Sequence, residues 1–228
     1  MQRQVLIVDD EEAVCQMVGK VLASAGMEPL ALTRGSRALD LLNQEKFDMA
    51  FFDLHMAPPD GMDLARHLRR SSWNRTTPII LISDDQRPGA MSVGFEAGAN
   101  FFLYKPFEKE CLMKLIRATQ GTIDCGRRRT RRVSLHSRVK LNSGEDLLEG
   151  ETLDVSLCGL LVKAGRTLAR GTPVRVSMEL APRMKPVVVA GSVVRVLDGN
   201  LMGIQLDQLS VAESERLQEF LLPLIPIR

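Results

Sequence analysis

The sequence of 228 residues predicts two domains: a doubly wound α/β domain with a five-stranded parallel sheet, followed by a small β-barrel with a C-terminal helix. Short apolar runs alternate with helical patterns up to about residue 120, which is typical of an α/β fold. After residue 126, short valine-rich runs are separated by turn residues, which is typical of a barrel. The charge also changes, from a net −3 over residues 1–124 to a net +5 over residues 125–228.

The first strand of the α/β domain is predicted at Val5–Val8, which is apolar throughout, as a strand covered by helices on both faces would be. Apolar residues then recur at helical spacing until Gly26, which can end a helix. The same alternation predicts further strands at 29–32, 49–54, 79–82 and 101–103, and helices at 36–44, 62–70, 88–97 and 107–119. Such an alternation of strands and helices indicates a doubly wound fold.

Polar residues follow the predicted strands at the points where the strands end. Asp9 and Asp10 follow the first strand, Asp53 ends the third, Ser83 follows the fourth and Lys105 follows the fifth. The carboxyl ends of parallel strands line one crevice, so we expect these side chains to converge. Three carboxylates repel one another unless a hard cation such as Mg²⁺ is present. A carboxylate beside Mg²⁺, a hydroxyl and an ammonium group is a good phosphoryl acceptor, because the cations offset the charge on the phosphoryl oxygens.

On these residues, the stretch from residue 4 to about residue 120 resembles the receiver domain of response regulators. The matching residues are an acidic pair, an acceptor aspartate followed by a glycine, a hydroxyl residue and a Lys-Pro pair: Asp9, Asp10, Asp53, Gly61, Ser83, Lys105 and Pro106.

The resemblance implies a role for each of these side chains. Asp53 would be the phosphoacceptor, and Mg²⁺ would be bound directly by Asp10, Asp53 and the backbone carbonyl of His55, with Asp9 assisting through water. Ser83 and Lys105 would hold the phosphoryl oxygens. Phe102 occupies the position of the aromatic residue that turns inward on activation in this family.

The chain departs from the family pattern at two places. Ala57 stands where a proline is usual, with Pro58 and Pro59 just after it, and we expect this to reshape only a loop. Asp84 stands where a small residue usually follows the hydroxyl residue, and Asp85 comes next. These two carboxylates add negative charge near the anion site, so they are expected to slow phosphorylation or alter the lifetime of the phosphoryl group.

The second half is predicted to hold six strands and one helix. A linker at 121–126, where Gly121 is expected to break the preceding helix, separates a first domain at 1–120 from a second at 127–228. Ser210 with Glu213 three residues later forms a capping-box pattern for the helix. The strands are predicted at 133–141, 153–156, 159–162, 173–180, 187–196 and 201–206, and the helix at 211–222.

Five arginines lie within six residues, at 127–129 and 131–132, where the two predicted domains join. Taken alone, such a run is typical of a solvated linker. However, the pattern Asp154-x-Ser156-x-x-Gly159 follows the run. An Arg-x-x-x-Arg pair followed by this pattern resembles the PilZ domain. The resemblance covers roughly residues 126–222, including the late strand at 203–206.

PilZ domains bind cyclic di-GMP, so the resemblance implies a binding site made of Arg128, Arg132, Asp154, Ser156 and Gly159. The Arg run also allows a register with arginines 127 and 131. We choose Arg128 and Arg132, because Arg132 directly precedes the first predicted strand of the second domain. Guanidinium groups suit phosphate oxygens and the O6 and N7 edge of guanine. The acidic and hydroxyl side chains can bond the polar edges of a base, and a glycine permits close approach of the backbone.

Together, the two resemblances predict a two-component response regulator that a sensor histidine kinase phosphorylates on Asp53 and that acts on a downstream effector protein under the control of cyclic di-GMP. No enzymatic activity is expected beyond the receiver's own phosphoryl chemistry. The alternative is an adaptor whose barrel binds no ligand and acts through protein contacts. A DNA-binding regulator is disfavoured because the second half has no helix-turn-helix pattern, and the oligomeric state is left open.

The remaining composition excludes several classes of protein. The four cysteines and three histidines are scattered without a CxxC pair, which argues against a zinc site or a disulfide framework. The N-terminal residues have no apolar signal region, and no run approaches the roughly 18 apolar residues of a membrane helix. We therefore expect a cytoplasmic protein with no membrane insertion.

Overall fold

A computed structural model describes residues 3–87, 90–123, 132–144, 146–156, 159–181, 184–207 and 209–225. The chain divides into two compact units, residues 1–119 and residues 120–226.

The first unit is a five-stranded parallel sheet in the order β2-β1-β3-β4-β5, with helices between the strands, so the predicted doubly wound domain is confirmed. The central strands β3 and β4 are buried at every position, which is why they read as continuous apolar runs. The strands are β1 Arg3–Val8, β2 Met27–Leu32, β3 Met49–Asp53, β4 Ile79–Ser83 and β5 Phe101–Tyr104, and the helices are α1 Glu12–Ser24, α2 Gly35–Gln44, α3 Gly61–Arg70, α4 Ala90–Glu96 and α5 Lys109–Ile123.

The predicted end of the last helix in the first half of the chain was wrong. Gly121 was expected to break this helix, but α5 continues through it to Ile123. One glycine inside a helix costs only about 1 kcal/mol relative to alanine, which the rest of the helix can offset. The predicted linker at 121–126 therefore begins as helix, and its residues 124–126 lie outside the described residues.

The second unit is a closed antiparallel barrel in the strand order β10-β11-β8-β7-β6-β9, followed by one helix, as predicted. The side chain of Ser210 accepts a hydrogen bond from the amide of Glu213, which confirms the predicted helix cap. The strands are β6 Val133–Ser143, β7 Asp146–Ser156, β8 Gly159–Ala164, β9 Pro173–Met178, β10 Val187–Leu197 and β11 Leu201–Leu206, and the helix is α6 Val211–Leu221.

Strand β7 is much longer than the predicted strand at 153–156. Its first part contains the polar stretch Glu149-Gly150-Glu151, which does not look like a strand in isolation. In the barrel, Glu149 pairs across the strands with Lys140, and Glu151 pairs with Arg138. Cross-strand pairs of opposite charge stabilise this part of the sheet, and no pattern within the segment reveals them.

The barrel contains a register shift on either side of β7 and another in β10. Ser134 pairs with Asp154 but Ser137 pairs with Thr152, and on the other side Thr152 pairs with Val162 but Asp154 pairs with Leu161. In β10, the shift lies between residues 193 and 195. Each shift inserts a residue into one strand, and such a bulge can turn a side chain to the opposite face.

Among the helices in the described part of the chain, none is both long and apolar enough to cross a bilayer.

Candidate functional site

The sheet register of the first unit brings the predicted polar residues to one edge. Asp53 pairs with Ile82 at the ends of β3 and β4, and Ser83 pairs with Tyr104 at the ends of β4 and β5. The amide of Lys105 donates a hydrogen bond of 2.7 Å to the carbonyl of Ser83. The chain therefore leaves β5 with Lys105 fixed beside the end of β4.

Three carboxylates form a cluster at this edge: one oxygen from each of Asp9, Asp10 and Asp53 lies within 4.8 Å of the others. Asp9 and Asp53 are buried and Asp10 is exposed. The ammonium nitrogen of Lys105 lies 3.0 Å from Oδ2 of Asp9 and 3.3 Å from Oδ1 of Asp53. It also lies 2.8 Å from Oε1 of Glu11, a residue that the sequence did not single out although it directly follows the acidic pair.

Burial makes two of these carboxylates harder to ionise. Burial raises the pKa of Asp9 to about 6, against the opposing effects of the Lys105 ammonium and the Glu11 amide. It also raises the pKa of Asp53, although Lys105 and a backbone hydrogen bond from His55 act in the opposite direction. Burial would lower the pKa of Lys105, but hydrogen bonds to Glu11 and Asp9 outweigh it and raise the pKa above its ordinary value. The site therefore favours a cation close to its carboxylates.

The carboxylate cluster suits a hard divalent cation. Mg²⁺ is bound in proteins by one or two carboxylates with several waters, and this cluster is open to solvent on its Asp10 side. Oδ2 of Asp9 is buried, and among the described residues it faces the ammonium group of Lys105, 3.0 Å away. An oxygen in that position has capacity for a further donor, such as a metal-bound water.

Ser83 is fully buried, and its hydroxyl accepts a 2.9 Å hydrogen bond from the amide of Asp85. The Asp85 carboxylate accepts two hydrogen bonds from the Arg87 side chain, at 2.8 and 2.7 Å. It also lies 3.6 Å from Nε2 of His55. Hydrogen bonds from Arg87 hold the pKa of Asp85 well below its usual range. The negative charge that the sequence led us to expect from Asp85 is therefore already paired, whereas Asp84 is exposed.

The loop after β3 is packed against the start of α3. A side-chain carbon placed on Gly61 would overlap the carbonyl oxygen of Asp53, so this position requires glycine. The helix begins with a cap in which the Asp60 carboxylate accepts a 2.9 Å hydrogen bond from the amide of Asp63. The start of α3 therefore holds the backbone of Asp53 in place.

Phe102, which the resemblance assigns to the aromatic switch position, is buried, with 2% of its surface exposed. Its ring lies close to that of Tyr104, with the centroids 4.9 Å apart. A side-chain carbon placed on Gly94 of α4 would lie 3.0 Å from this ring. The inward position of Phe102 therefore depends on a glycine in the facing helix.

In the second unit, the guanidinium group of Arg132 donates a 2.6 Å hydrogen bond to the carboxylate of Asp154. About a quarter of each side chain is exposed. Thr152 and Val155 both point into the barrel, and the extra residue in β7 between them places Asp154 on the outer face. The sequence placed these two residues in one site, and the structure brings them together. Arg128 and its alternatives in the Arg run, residues 127 and 131, lie outside the described residues.

Ser156 and Gly159 flank the turn between β7 and β8. The Ser156 hydroxyl donates a 3.0 Å hydrogen bond to the carbonyl of Gly159. A side-chain carbon on Gly159 would overlap the carbonyl oxygen of Ile204 in β11, so the close approach that requires this glycine is to the neighbouring strand. Contact between Gly159 and a ligand remains a prediction.

Comparisons with known proteins match both halves of the chain. Family models match the response regulator receiver domain at residues 5–117 and the PilZ domain at residues 126–222. The structure of a putative response regulator from Chloroflexus aurantiacus J-10-fl shares 32% identity with this chain, covers 52% of it and 98% of its own chain, and gives a TM-score of 0.50. The chain belongs to the response-regulator family. It joins a receiver domain to a PilZ domain.

Each of three further relatives aligns with about half of this chain. The chemotaxis response regulator CheY4 of Vibrio cholerae is 30% identical over 52% of this chain and 99% of its own, with a TM-score of 0.50. The sensory/regulatory protein RpfC of Xanthomonas campestris is 34% identical over 105 residues, 45% of this chain and 14% of that protein. The phosphate regulon regulatory protein PhoB of Escherichia coli is 28% identical over 123 residues, 54% of each protein. This chain thus spans about half of PhoB and a small part of RpfC.

Proposed function

We propose that this protein is a two-component response regulator that is phosphorylated on Asp53 by a sensor histidine kinase and binds cyclic di-GMP through its PilZ domain to control a downstream protein. One observation supports the proposed phosphorylation. The ammonium group of Lys105 contacts the buried carboxylates of Asp9 and Asp53. A receiver needs such a cation beside its acceptor, because phosphoryl transfer places negative charge there.

In the proposed reaction, a carboxylate oxygen of Asp53 attacks the phosphorus of a phosphohistidine, and the bond from phosphorus to the histidine nitrogen breaks. Lys105, already 3.3 Å from Asp53, then binds a phosphoryl oxygen in place of that carboxylate oxygen. The buried hydroxyl of Ser83 provides a second hydrogen bond to the phosphoryl group. Asp10, Asp53 and the backbone carbonyl of His55 would hold Mg²⁺, with Asp9 bonded to its water, and the ion would offset charge on the phosphoryl oxygens.

The proposed nucleotide site comprises Arg128, Arg132, Asp154, Ser156 and Gly159. Its support is the contact between Arg132 and Asp154, which places a guanidinium and a carboxylate side by side on the outer face of the barrel. A guanidinium fork can bind phosphate or the O6 and N7 edge of guanine. The carboxylate can accept hydrogen bonds from the donor edge of the same base. We also propose that the receiver domain spans residues 1–120 and the PilZ domain residues 127–228.

Two measurements on the purified full chain test the proposal. Acetyl phosphate with Mg²⁺ is expected to phosphorylate the wild type but not an Asp53→Asn variant. A calorimetric titration with cyclic di-GMP is expected to show saturable binding that Arg132→Ala removes, while Arg175→Ala, on a different part of the outer face, leaves it intact. Absence of binding by a folded wild type, also with beryllofluoride and Mg²⁺ present, would favour the adaptor that acts only through protein contacts.

A further inference from the structure

The ammonium group of Lys105 is shared among three carboxylates, and one of them has no role in the proposed reaction. Nζ of Lys105 lies 2.8 Å from Oε1 of Glu11, 3.0 Å from Oδ2 of Asp9 and 3.3 Å from Oδ1 of Asp53. The shortest of these contacts, that with Glu11, is a hydrogen bond. An ammonium group has three N–H donors, so the nearby carboxylates already match its full capacity.

The backbone of Glu11 is anchored on both sides. Its amide donates a 2.9 Å hydrogen bond to Oδ1 of Asp9. Its carbonyl accepts hydrogen bonds from the amides of Val14 and Cys15, at 3.0 and 3.1 Å, in the first turn of α1. The carboxylate of Glu11 therefore extends from a fixed point beside the carboxylate cluster.

The side chain of Glu11 does not serve the helix that it precedes. Glu11 occupies the N-cap position of α1, where a Ser, Thr, Asp or Asn side chain usually binds the first free amides. It makes no such capping hydrogen bond. It contacts instead the ammonium group of Lys105, which lies 94 residues later in the chain. The capping of α1 thus gives no reason for the direction of this side chain.

The three carboxylates differ in how easily they can leave Lys105. The side chains of Asp9 and Asp53 are 0% and 4% exposed, whereas that of Glu11 is 61% exposed. A buried carboxylate that lost its cation would be left uncompensated, which is costly. Exposed ion pairs contribute little to stability, so Glu11 can turn into solvent at low cost. Glu11 is therefore the partner that Lys105 can most readily exchange.

A phosphoryl group on Asp53 would bring new acceptor oxygens and more negative charge to Lys105. While Glu11 stays in contact, it occupies one donor of the ammonium group and offsets part of its positive charge. Its carboxylate would also lie within a few ångströms of the phosphoryl oxygens that Lys105 binds, so the two anions would repel each other. Contact with Glu11 therefore opposes the binding of a phosphoryl group.

We propose that Glu11 is a positioning residue that competes with the phosphoryl group for Lys105 and thereby lowers the affinity of the site for that group. The inference rests on the proposed phosphorylation of Asp53. In the unphosphorylated protein, Glu11 holds Lys105 towards solvent, and full binding of the phosphoryl group requires that this contact is released. Glu11 thus controls how readily the site accepts a phosphoryl group while acting only through Lys105.

The test is a calorimetric titration of the full chain with beryllofluoride in the presence of Mg²⁺, since this phosphoryl mimic binds without breaking a bond. Glu11→Gln keeps the length of the side chain and removes its charge, and is expected to bind roughly three- to ten-fold more tightly than the wild type. The matched control is Glu12→Gln. Glu12 is also exposed, but its carboxylate accepts a hydrogen bond from Gln16, so this variant should bind like the wild type.

A second variant separates the contact from the charge. Glu11→Asp keeps the negative charge on a shorter side chain that suits the N-cap of α1, so its carboxylate should turn from Lys105 to the helix amides. It should therefore also bind beryllofluoride more tightly than the wild type. Urea unfolding without beryllofluoride measures any purely structural effect, which could lower stability but would not raise affinity.

The outcomes separate this inference from the proposed function. If Glu11→Gln binds like Glu12→Gln, or more weakly, Glu11 does not compete for Lys105. If Glu11→Asp binds like the wild type while Glu11→Gln binds more tightly, charge alone acts and the contact has no role. Binding by the wild type that Asp53→Asn removes supports the proposed phosphorylation site in either case. If the folded wild type does not bind, both proposals fail.

Discussion

The ammonium nitrogen of Lys105 lies 3.3 Å from a carboxylate oxygen of Asp53. Lys105 follows β5 and Asp53 ends β3, so two segments far apart in the chain meet at this contact. The same nitrogen also contacts Asp9 and Glu11. Lys105 therefore offsets the repulsion among the carboxylates before any metal or phosphoryl group is bound.

Loss of this lysine should destabilise the receiver domain. We expect Lys105→Met to lower the free energy of unfolding by about 3 kcal/mol at neutral pH, because buried carboxylates lose their partner. Urea denaturation in the presence of a chelator measures the change. The matched control is Lys140→Met, since Lys140 pairs with Glu149 at the exposed surface and such pairs contribute about 1 kcal/mol or less. Equal losses for the two variants would contradict the expectation.

The metal-free protein should lose stability from Asp9 as the pH rises. The pKa of Asp9 is about 6 in the folded protein against 3.8 for the free side chain, so the folded state keeps the proton longer. Its stabilising effect is complete below about pH 4 and is lost as the pH rises through 6. Asp9→Asn should therefore gain stability relative to the wild type between pH 4 and pH 7, by about 1 to 3 kcal/mol. Chemical unfolding at both pH values, without divalent metal, measures the difference; no change between them would exclude this effect.

Asp53 should be the residue that accepts the phosphoryl group. Asp53→Asn removes the attacking oxygen's charge, so incubation with acetyl phosphate and Mg²⁺ should give no phosphorylated protein on a phosphate-affinity gel. Asp63→Asn alters an exposed residue in the first turn of α3 and should be phosphorylated like the wild type. Phosphorylation of Asp53→Asn to the same extent would place the acceptor elsewhere.

Gly159 should be required for the stability of the barrel independently of any ligand. A methyl group there would overlap the carbonyl oxygen of Ile204, so Gly159→Ala should lower the free energy of unfolding by about 1 to 3 kcal/mol. Gly165→Ala meets nothing within 4 Å and should change it little. Thermal or urea unfolding without nucleotide compares the two. If Gly159→Ala is as stable as Gly165→Ala but binds nucleotide poorly, the glycine faces the ligand instead.

Much of the fold and the central site could be predicted because their signals are local. The apolar runs of β3 and β4 and the polar residues at the ends of strands predicted the sheet and the meeting of Asp53 with Lys105. Likewise, the Ser210 cap was visible from its spacing to Glu213.

Other features depend on pairings that no short segment reveals. The pairing of Asp85 with Arg87 could not be predicted, because it depends on how their side chains are oriented, although the residues are only two apart in the chain. The first part of β7 is held by its partners in β6, and Gly121 remains helical because the surrounding helix continues. The position of Arg195 depends on a bulge, which changes the face of a side chain without changing residue type.

The bulge at Val194 depends on how many residues β10 contains. What matters there is the presence of one extra residue, since any residue type that fits the exposed position can shift the strand. Replacement of Val194 should be tolerated, and its deletion should leave Val193 facing inward and its new neighbour Arg195 facing outward, as regular alternation requires. The bulge is thus encoded in the number of residues between Val193 and Arg195, and a comparison that scores only residue identities would overlook it.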